Sequence, residues 1–264
     1  MIQNFQLSNG VRKIEFLMDL DIRNECDQAI LYHFQQGLPC EPEVVHAMFK
    51  FVHEGDSVVD GGANVGFFTL LLSKLVGPTG KVIAVEPGEE NLAKLKHNIK
   101  INACTNVEVI EKALWSEATR LPMFFYQDGG GNSAWAHEEG DNPTMVQTTT
   151  LDTICCVLCP ALIKLDIEGA EEEALRGAKH TLRTHFPFVI CEVNDEALKK
   201  SGASGQTLRA HMFCRGYQAF ALPFNGGLPA QIPNNTRIDP HKLNTNILFT
   251  SLQRVGDEWP EIMI

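Results

Sequence analysis

The chain has 264 residues, 44% of them apolar, which is enough for one large domain with a full core and argues against global disorder. Thirty-three acidic residues against 22 basic ones give a net charge of −11 with no basic run to offset it, so nucleic acid and anionic membrane are poor partners. No segment approaches the ~20 apolar residues of a spanning helix, and Met1-Ile-Gln-Asn-Phe lacks the basic and apolar regions of a secretory signal. The eight cysteines are scattered. Cys104, Cys191 and Cys214 read as small core residues. Cys155, Cys156 and Cys159 cluster without a second pair, so they read as buried or half-buried thiols and no metal is expected. A reduced, cytoplasmic compartment is expected.

Residues 1–52 read as an accessory region and 53–264 as the main domain. Val11 to Leu20 carries apolar residues suited to one strand of a hairpin, and Glu25 to Gln36 reads as a short helix stopped by Gly37 and Pro39. Glu41-Pro-Glu opens a second helix. His46 and His53 read as helix-surface residues. Regular rhythm starts at Gly55-Asp56. Val58-Val59-Asp60 is a short strand, followed by a helix to about Val76. Lys81 to Val85 is a strand, Glu89 to Asn102 a helix, and Val107 to Leu114 a third strand. Alternation at this tempo implies an α/β fold with a parallel sheet and right-handed crossovers.

The rhythm then breaks. Leu121 to Tyr126 and Met145 to Thr150 flank the loop Asp128-Gly-Gly-Gly-Asn-Ser133 and read as a β-hairpin insertion. It resumes with the strand Ala161 to Ile167, the helix Ala170 to Leu182 and the strand Phe188 to Val193. The helix Ser204 to Arg215 and two strands, Tyr217 to Leu222 and Asn246 to Ser251, complete the chain. A long loop without helical pattern joins these last strands, so they are expected to pair antiparallel.

Two features point to a nucleoside ligand. Val58-Val-Asp-Gly-Gly-Ala-Asn-Val-Gly66 is an apolar strand running into a Gly-rich turn that opens a helix, where backbone can approach a ligand closely. Glu86 ends the next strand, placed to accept hydrogen bonds from a ribose diol. Asp60 suits an ammonium or hydroxyl better than a pyrophosphate. The order Asp-x-Gly-x-x-x-Gly departs from the dinucleotide fingerprint G-x-G-x-x-G. A sulfonium nucleoside with an amino-acid tail fits best, its ammonium meeting Asp60.

Further on, Lys164, Asp166 and Glu168 alternate with Leu165 and Ile167, which places three ionisable residues on one face of a strand. Burying them without purpose is costly, and ligands bind at the carboxyl ends of such strands. Glu192 ends the next strand at the same edge. A carboxylate with a raised pKa can take a proton, and a lysine partner holds a neighbouring carboxylate ionised. Asp166 and Glu168 are the expected catalytic residues, with Lys164 and Glu192 supporting. Asn132, Ser133, His241 and Asn246 are secondary candidates for substrate contact.

Asp60-Gly-Gly62-Ala-Asn64-Val-Gly66, Val85-Glu86-Pro87, Thr150-Leu-Asp152 and Ile163-Lys-Leu-Asp166-Ile-Glu168-Gly169-Ala-Glu171 together resemble the FkbM family of class I methyltransferases, over about Glu41 to Thr250. The resemblance implies a Rossmann-like, seven-stranded sheet with an antiparallel last strand and helices on both faces. It implies S-adenosyl-L-methionine as cofactor and a hydroxyl on a small molecule, such as a sugar or natural product, as acceptor. By resemblance Asp60, Gly62, Asn64 and Gly66 line the methionine end of the cofactor, Glu86 meets the ribose, and Ala113 and Leu114 lie near the adenine. Gly61 stands where the family more often has an aliphatic residue, which is expected to loosen the turn. A NAD(P)-dependent oxidoreductase and a catalytically silent binding module stay open as readings, as do N-methylation and a homodimer formed through the accessory region.

Overall fold

The computed structural model describes residues 1–125, 134, 142–233 and 246–259. The chain opens with an antiparallel hairpin, β1 (Ile2–Ser8) and β2 (Lys13–Asp19), in which Ile2 faces Asp19 and Ser8 faces Lys13. Phe5, Leu7, Ile14, Phe16 and Met18 alternate with more exposed residues and form the buried face. Helices α1 (Glu25–Gln35) and α2 (Pro42–Phe51) follow. Asn24 caps α1 by accepting the Asp27 N–H.

The main domain runs through β3 (Ser57–Gly61), α3 (Phe67–Val76), β4 (Lys81–Val85), α4 (Glu89–Ile101), β5 (Val107–Ile110), β6 (Ala113–Leu114), β7 (Arg120–Met123), β8 (Thr144–Thr149) and α5 (Leu151–Ile154). It continues through β9 (Pro160–Leu165), α6 (Glu171–Arg176), α7 (Lys179–His185), β10 (Phe188–Glu192), α8 (Asp195–Lys200), α9 (Gly205–Phe213), β11 (Gln218–Ala221), β12 (Ala230–Ile232), β13 (Asn246–Thr250) and α10 (Leu252–Glu258).

The large sheet has the order β12-β11-β13-β10-β9-β3-β4-β5. From β5 to β10 the pairing is parallel, and β13 is antiparallel to both β10 and β11. The expected antiparallel pairing of the last two long strands is therefore present. The expectation of seven strands needs correction to eight among the described residues, because the Pro- and Asn-rich loop after β11 folds back as β12 on its free edge. The stretch read as one strand from Val107 to Leu114 divides in two. Its second half, β6, leaves the large sheet and pairs with β8, which also pairs antiparallel with β7. The insertion is thus a three-stranded sheet. Its Gly-rich tip, with Asn132 and Ser133, lies outside the described residues, as does His241. The helix expected over Ala170 to Leu182 breaks at Gly177-Ala178, and the Asp152 carboxylate accepts the His180 and Thr181 N–H groups at the start of α7.

Each central strand is covered on both sides. Val58, Val82, Leu162, Ile190 and Leu248 enter one core with the hairpin, α2 and α3. Val59, Ile83, Ile163, Val189 and Phe249 enter the other, with α5 to α9. The period of two then carries Asp60, Lys164, Glu192 and Asn246 onto the α2–α3 face at one end of the sheet. Chain order reverses between β3 and β9, and ligands gather at such switch points. Among the described residues no helix is long and apolar enough to cross a membrane.

Candidate functional site

A cavity of about 280 Å³ opens at the carboxyl ends of β3, β4, β9 and β10. One wall is the turn after β3. Gly62 has φ +78°, and a Cβ there would sit 1.8 Å from the Asp166 carbonyl oxygen, so only glycine fits between the β3 and β9 ends. Gly62 and Ala63 donate their N–H groups to the Val85 carbonyl at 3.0 and 3.1 Å. Asn64, itself at φ +49°, donates its backbone N–H to Glu86 Oε2 at 3.0 Å, and Gly88 donates to Glu86 Oε1 at 2.8 Å. Burial pushes the Glu86 carboxyl up to about 7, against the lowering by these backbone donors.

Gly62, Asn64, Gly66, Glu86, Ala113 and Leu114, all singled out from the sequence, line this cavity. Asp60 does not. It is fully buried behind the turn, beside Lys164 in the β3–β9 register, and Thr69 Oγ1 donates to its Oδ2 at 2.5 Å. Asp60 therefore stands behind the cavity wall, with its Oδ1 buried and without a hydrogen-bond partner. The strand runs one residue past Asp60, to Gly61, and turn backbone closes over it. Burial raises the Asp60 carboxyl, and Lys164 and Thr69 oppose this.

The residues present fit an amino-acid-bearing nucleoside. Asn64 Oδ1 is buried and has no hydrogen-bond partner, an acceptor waiting for a donor. Glu86 holds the Asn64 and Gly88 N–H groups and a side-chain hydrogen bond from Asn91, and its carboxylate lines the cavity where a hydroxyl can reach it. Ala113, Leu114, Leu121 and Met123 give a flat base an apolar bed.

The opposite wall is ionic and carries all four expected catalytic residues, Lys164, Asp166, Glu168 and Glu192. Lys164 is buried, with Nζ 3.0 Å from Asp166 Oδ2 and 4.6 Å from the Phe68 ring centre. Burial disfavours its charge, but Asp166, Glu41 and Asp60 outweigh that and hold the ammonium above the ordinary lysine value. Glu192 is pushed up to about 10, first by Asp166, then by burial and Glu168, and it shares a hydrogen bond with Asp166. Glu192 therefore carries a proton at neutral pH. Glu168 reaches the wall differently than expected. Strand β9 ends at Leu165, and Glu168 sits in a turn at φ +55°. The buried Glu171 shapes that turn, its Oε1 accepting from the Ile167 and Gly169 N–H groups at 3.0 and 3.3 Å.

Cys26, Ile30, Cys40 and Glu41, which carry no functional signal in the sequence, close the cavity from the accessory region. Glu41 before Pro42 reads as an ordinary helix start. Asn246 proves buried, donating to Glu41 Oε2 and Glu43 Oε1, both at 3.0 Å. Of the cysteines read as core, Cys191 is buried, Cys104 half-buried and Cys214 exposed; in the cluster only Cys155 is buried. His53 is exposed, while His46 is half-buried against Gly226. Among the described residues no three His, Cys, Asp or Glu side chains are grouped to hold a metal ion.

The family model described as "Methyltransferase FkbM domain" matches residues 60–219. "Methyltransferase 1" of Beauveria bassiana is 26% identical over 174 residues, covering 57% of this chain and 69% of the relative. "Methyltransferase sdnD" of Sordaria araneosa is 27% identical over 154 residues, 46% of this chain and 59% of the relative. The crystal structure of Methyltransferase FkbM from Methylobacillus flagellatus KT superposes with a TM-score of 0.48 at 20% identity, over 88% of this chain and 56% of that one. The match spans more than half of the chain and contains both the Gly-rich turn and the Lys164–Glu168 segment, so the chain belongs to the FkbM family of class I S-adenosylmethionine-dependent methyltransferases.

Proposed function

We propose that the protein methylates a hydroxyl oxygen on a small polar molecule, a sugar or natural product, with S-adenosyl-L-methionine as donor. The observation that carries this reading is the meeting, in one cavity, of the Asn64–Glu86 wall with the Lys164–Asp166–Glu192 wall. Gly62, Asn64 and Gly66 would hold the amino-acid end of the cofactor, Glu86 the ribose diol, and Ala113 and Leu114 the base. When bound, the cofactor supplies an electrophilic methyl group on a sulfonium. The chain's contribution is position and charge. Asp166, fixed by Lys164, accepts a hydrogen bond from a second polar group of the acceptor beside the reacting hydroxyl, and protonated Glu192 donates one to a neighbouring acceptor oxygen. Glu168 lines the acceptor's entry. The acidic wall and the net charge of −11 favour a neutral or cationic acceptor over nucleic acid or anionic lipid. We read residues 1–52 as an accessory region docked on the catalytic domain 53–264, with a face available to a homodimer, and the cysteine usage of the sequence as that of a cytoplasmic protein.

Calorimetry with S-adenosylhomocysteine tests the reading. Wild type is expected to bind it, and Glu86→Ala to bind it about ten- to a hundredfold more weakly, the worth of hydrogen bonds to a charged group. A labelled-methyl screen over hydroxylated acceptors then finds the substrate, and Asp166→Asn slows transfer to it. A wild-type chain that ignores S-adenosylhomocysteine overturns the assignment. A wild type that binds S-adenosylhomocysteine yet transfers methyl to no acceptor indicates a silent module.

A further inference from the structure

Glu41 lies outside the family-matched residues 60–219, yet it lines the same cavity. It occupies the N-cap position of α2 in left-handed backbone, φ 44° and ψ 70°, and makes no side-chain capping bond. That conformation costs a non-glycine residue about 1–2 kcal/mol, and it leaves the carboxylate off the helix end. The carboxylate is instead held by a separate element. Asn246 gives one amide hydrogen to Glu41 Oε2 and the other to Glu43 Oε1, so both of its donors are used and its orientation is fixed. The β10–β13 register sets Asn246 directly opposite Glu192, which delivers Glu41 to the corner where the ionic wall stands.

Asp166, Glu192 and Glu86 are engaged, and Glu168 stands off the strand in its own turn. Asp166 is bound by Lys164 and by Glu192, Glu192 already holds a proton, and both Glu86 oxygens take backbone N–H groups on the opposite wall. Glu41 instead accepts its hydrogen bond from the neutral Asn246 amide, with Lys164 acting on it through charge.

Resting on the methyltransferase reading above, we propose that Glu41 is the general base of the acceptor pocket. The acceptor's hydroxyl oxygen forms the new bond to the methyl carbon and its proton passes to the Glu41 carboxylate. The carbon–sulfur bond breaks with its electron pair left on sulfur. The proton returns to solvent when the methyl ether leaves. The accessory region is then part of the catalytic apparatus. Burial raises Glu41 to about 7; Lys164 and Asn246 pull it down, Asp166 and Glu43 push it up, and Glu192 and Cys40 also face it. A base poised near the working pH is the efficient choice.

Two measurements test this. In the full chain with ¹³C-labelled glutamate carboxyls, the resonance that disappears in Glu41→Gln is expected to titrate near 7, as burial sets it. A midpoint in the ordinary range of about 4–5 overturns the proposal. With the acceptor found by the screen, Glu41→Gln keeps the Asn246 bond and is expected to lower kcat by at least about 100-fold with KM nearly unchanged. It also removes the acid limb of the kcat–pH profile, and Glu41→Asp restores part of the rate. Retained kcat, or an unchanged acid limb, overturns it. Should Glu41→Gln fail to fold, Glu41→Asp assigns the resonance by its disappearance and the wild-type midpoint decides. A wild type that binds S-adenosylhomocysteine while Glu41 titrates ordinarily sinks this proposal alone; no binding sinks the reading beneath it.

Discussion

At Gly61 the structure reverses what the sequence suggests. An aliphatic residue there looks like the better choice, yet a Cβ would lie 2.6 Å from Leu114 Cδ1 and 2.8 Å from Leu165 Cδ2, both on buried side chains. The missing side chain makes room for Leu114 at the apolar end of the cavity rather than loosening the turn. Gly61→Val should therefore cost about 1–3 kcal/mol, the usual penalty of overpacking. Adding Leu114→Ala should recover part of it, a coupling readable from denaturant midpoints of the two single variants and the double one. Strict additivity would show that the two side chains do not compete for this space.

Among elements, the attachment of the hairpin to α4 matters most for the site. Asn102 grips the Leu17 backbone from both sides, Oδ1 accepting its N–H at 2.7 Å and Nδ2 donating to its carbonyl at 2.6 Å. Asn98 goes further. Its Oδ1 accepts the Asp19 N–H at 2.8 Å, and its Nδ2 donates at 2.9 Å to the carbonyl of Val65 inside the Gly-rich turn. One buried amide thus ties the accessory region to the cofactor wall. Asn98→Ala leaves the buried Val65 carbonyl and the half-buried Asp19 N–H without this partner and should lower stability by about 1–3 kcal/mol. It should also weaken S-adenosylhomocysteine by calorimetry, because the turn loses its tether. Unchanged affinity at reduced stability would confine Asn98 to a packing role.

For the molecule as a whole, the site sets the pH dependence of stability. Glu41, Glu86 and Glu171 are raised to about 7 and Glu192 to about 10, with burial the leading cause for the first three and Asp166 for Glu192. Each folded-state value lies above that of the unfolded chain. The native state therefore holds protons that the unfolded chain releases. This stabilisation is complete below the unfolded value and is lost as pH rises through the folded one. Asp19 and Asp21 are lowered but largely solvated and contribute little, while half-buried His211, lowered by burial, acts in the opposite sense and offsets part of the effect. The ligand-free protein should thus be more stable at about pH 5 than at about pH 8, with net proton release on unfolding in that window. Glu86→Gln should flatten the slope. A thermal midpoint that rises over the same range would show that the buried carboxyls are not raised.

The parallel strands, the Gly-rich turn, Glu86 and the Lys164–Glu168 segment were legible in the sequence, because local periodicity and close backbone approach impose residue types that depend on near neighbours only. Asp60 behind the wall, the turn that carries Glu168, the Gly61–Leu114 fit and the extra strand β12 were not. Nor were Glu41 and Asn246, which stand 205 residues apart and meet at 3.0 Å. Each depends on which distant segment fills the space beside it. Only the order of strands in the sheet and the seat of α2 against it decide that, and no local pattern encodes either.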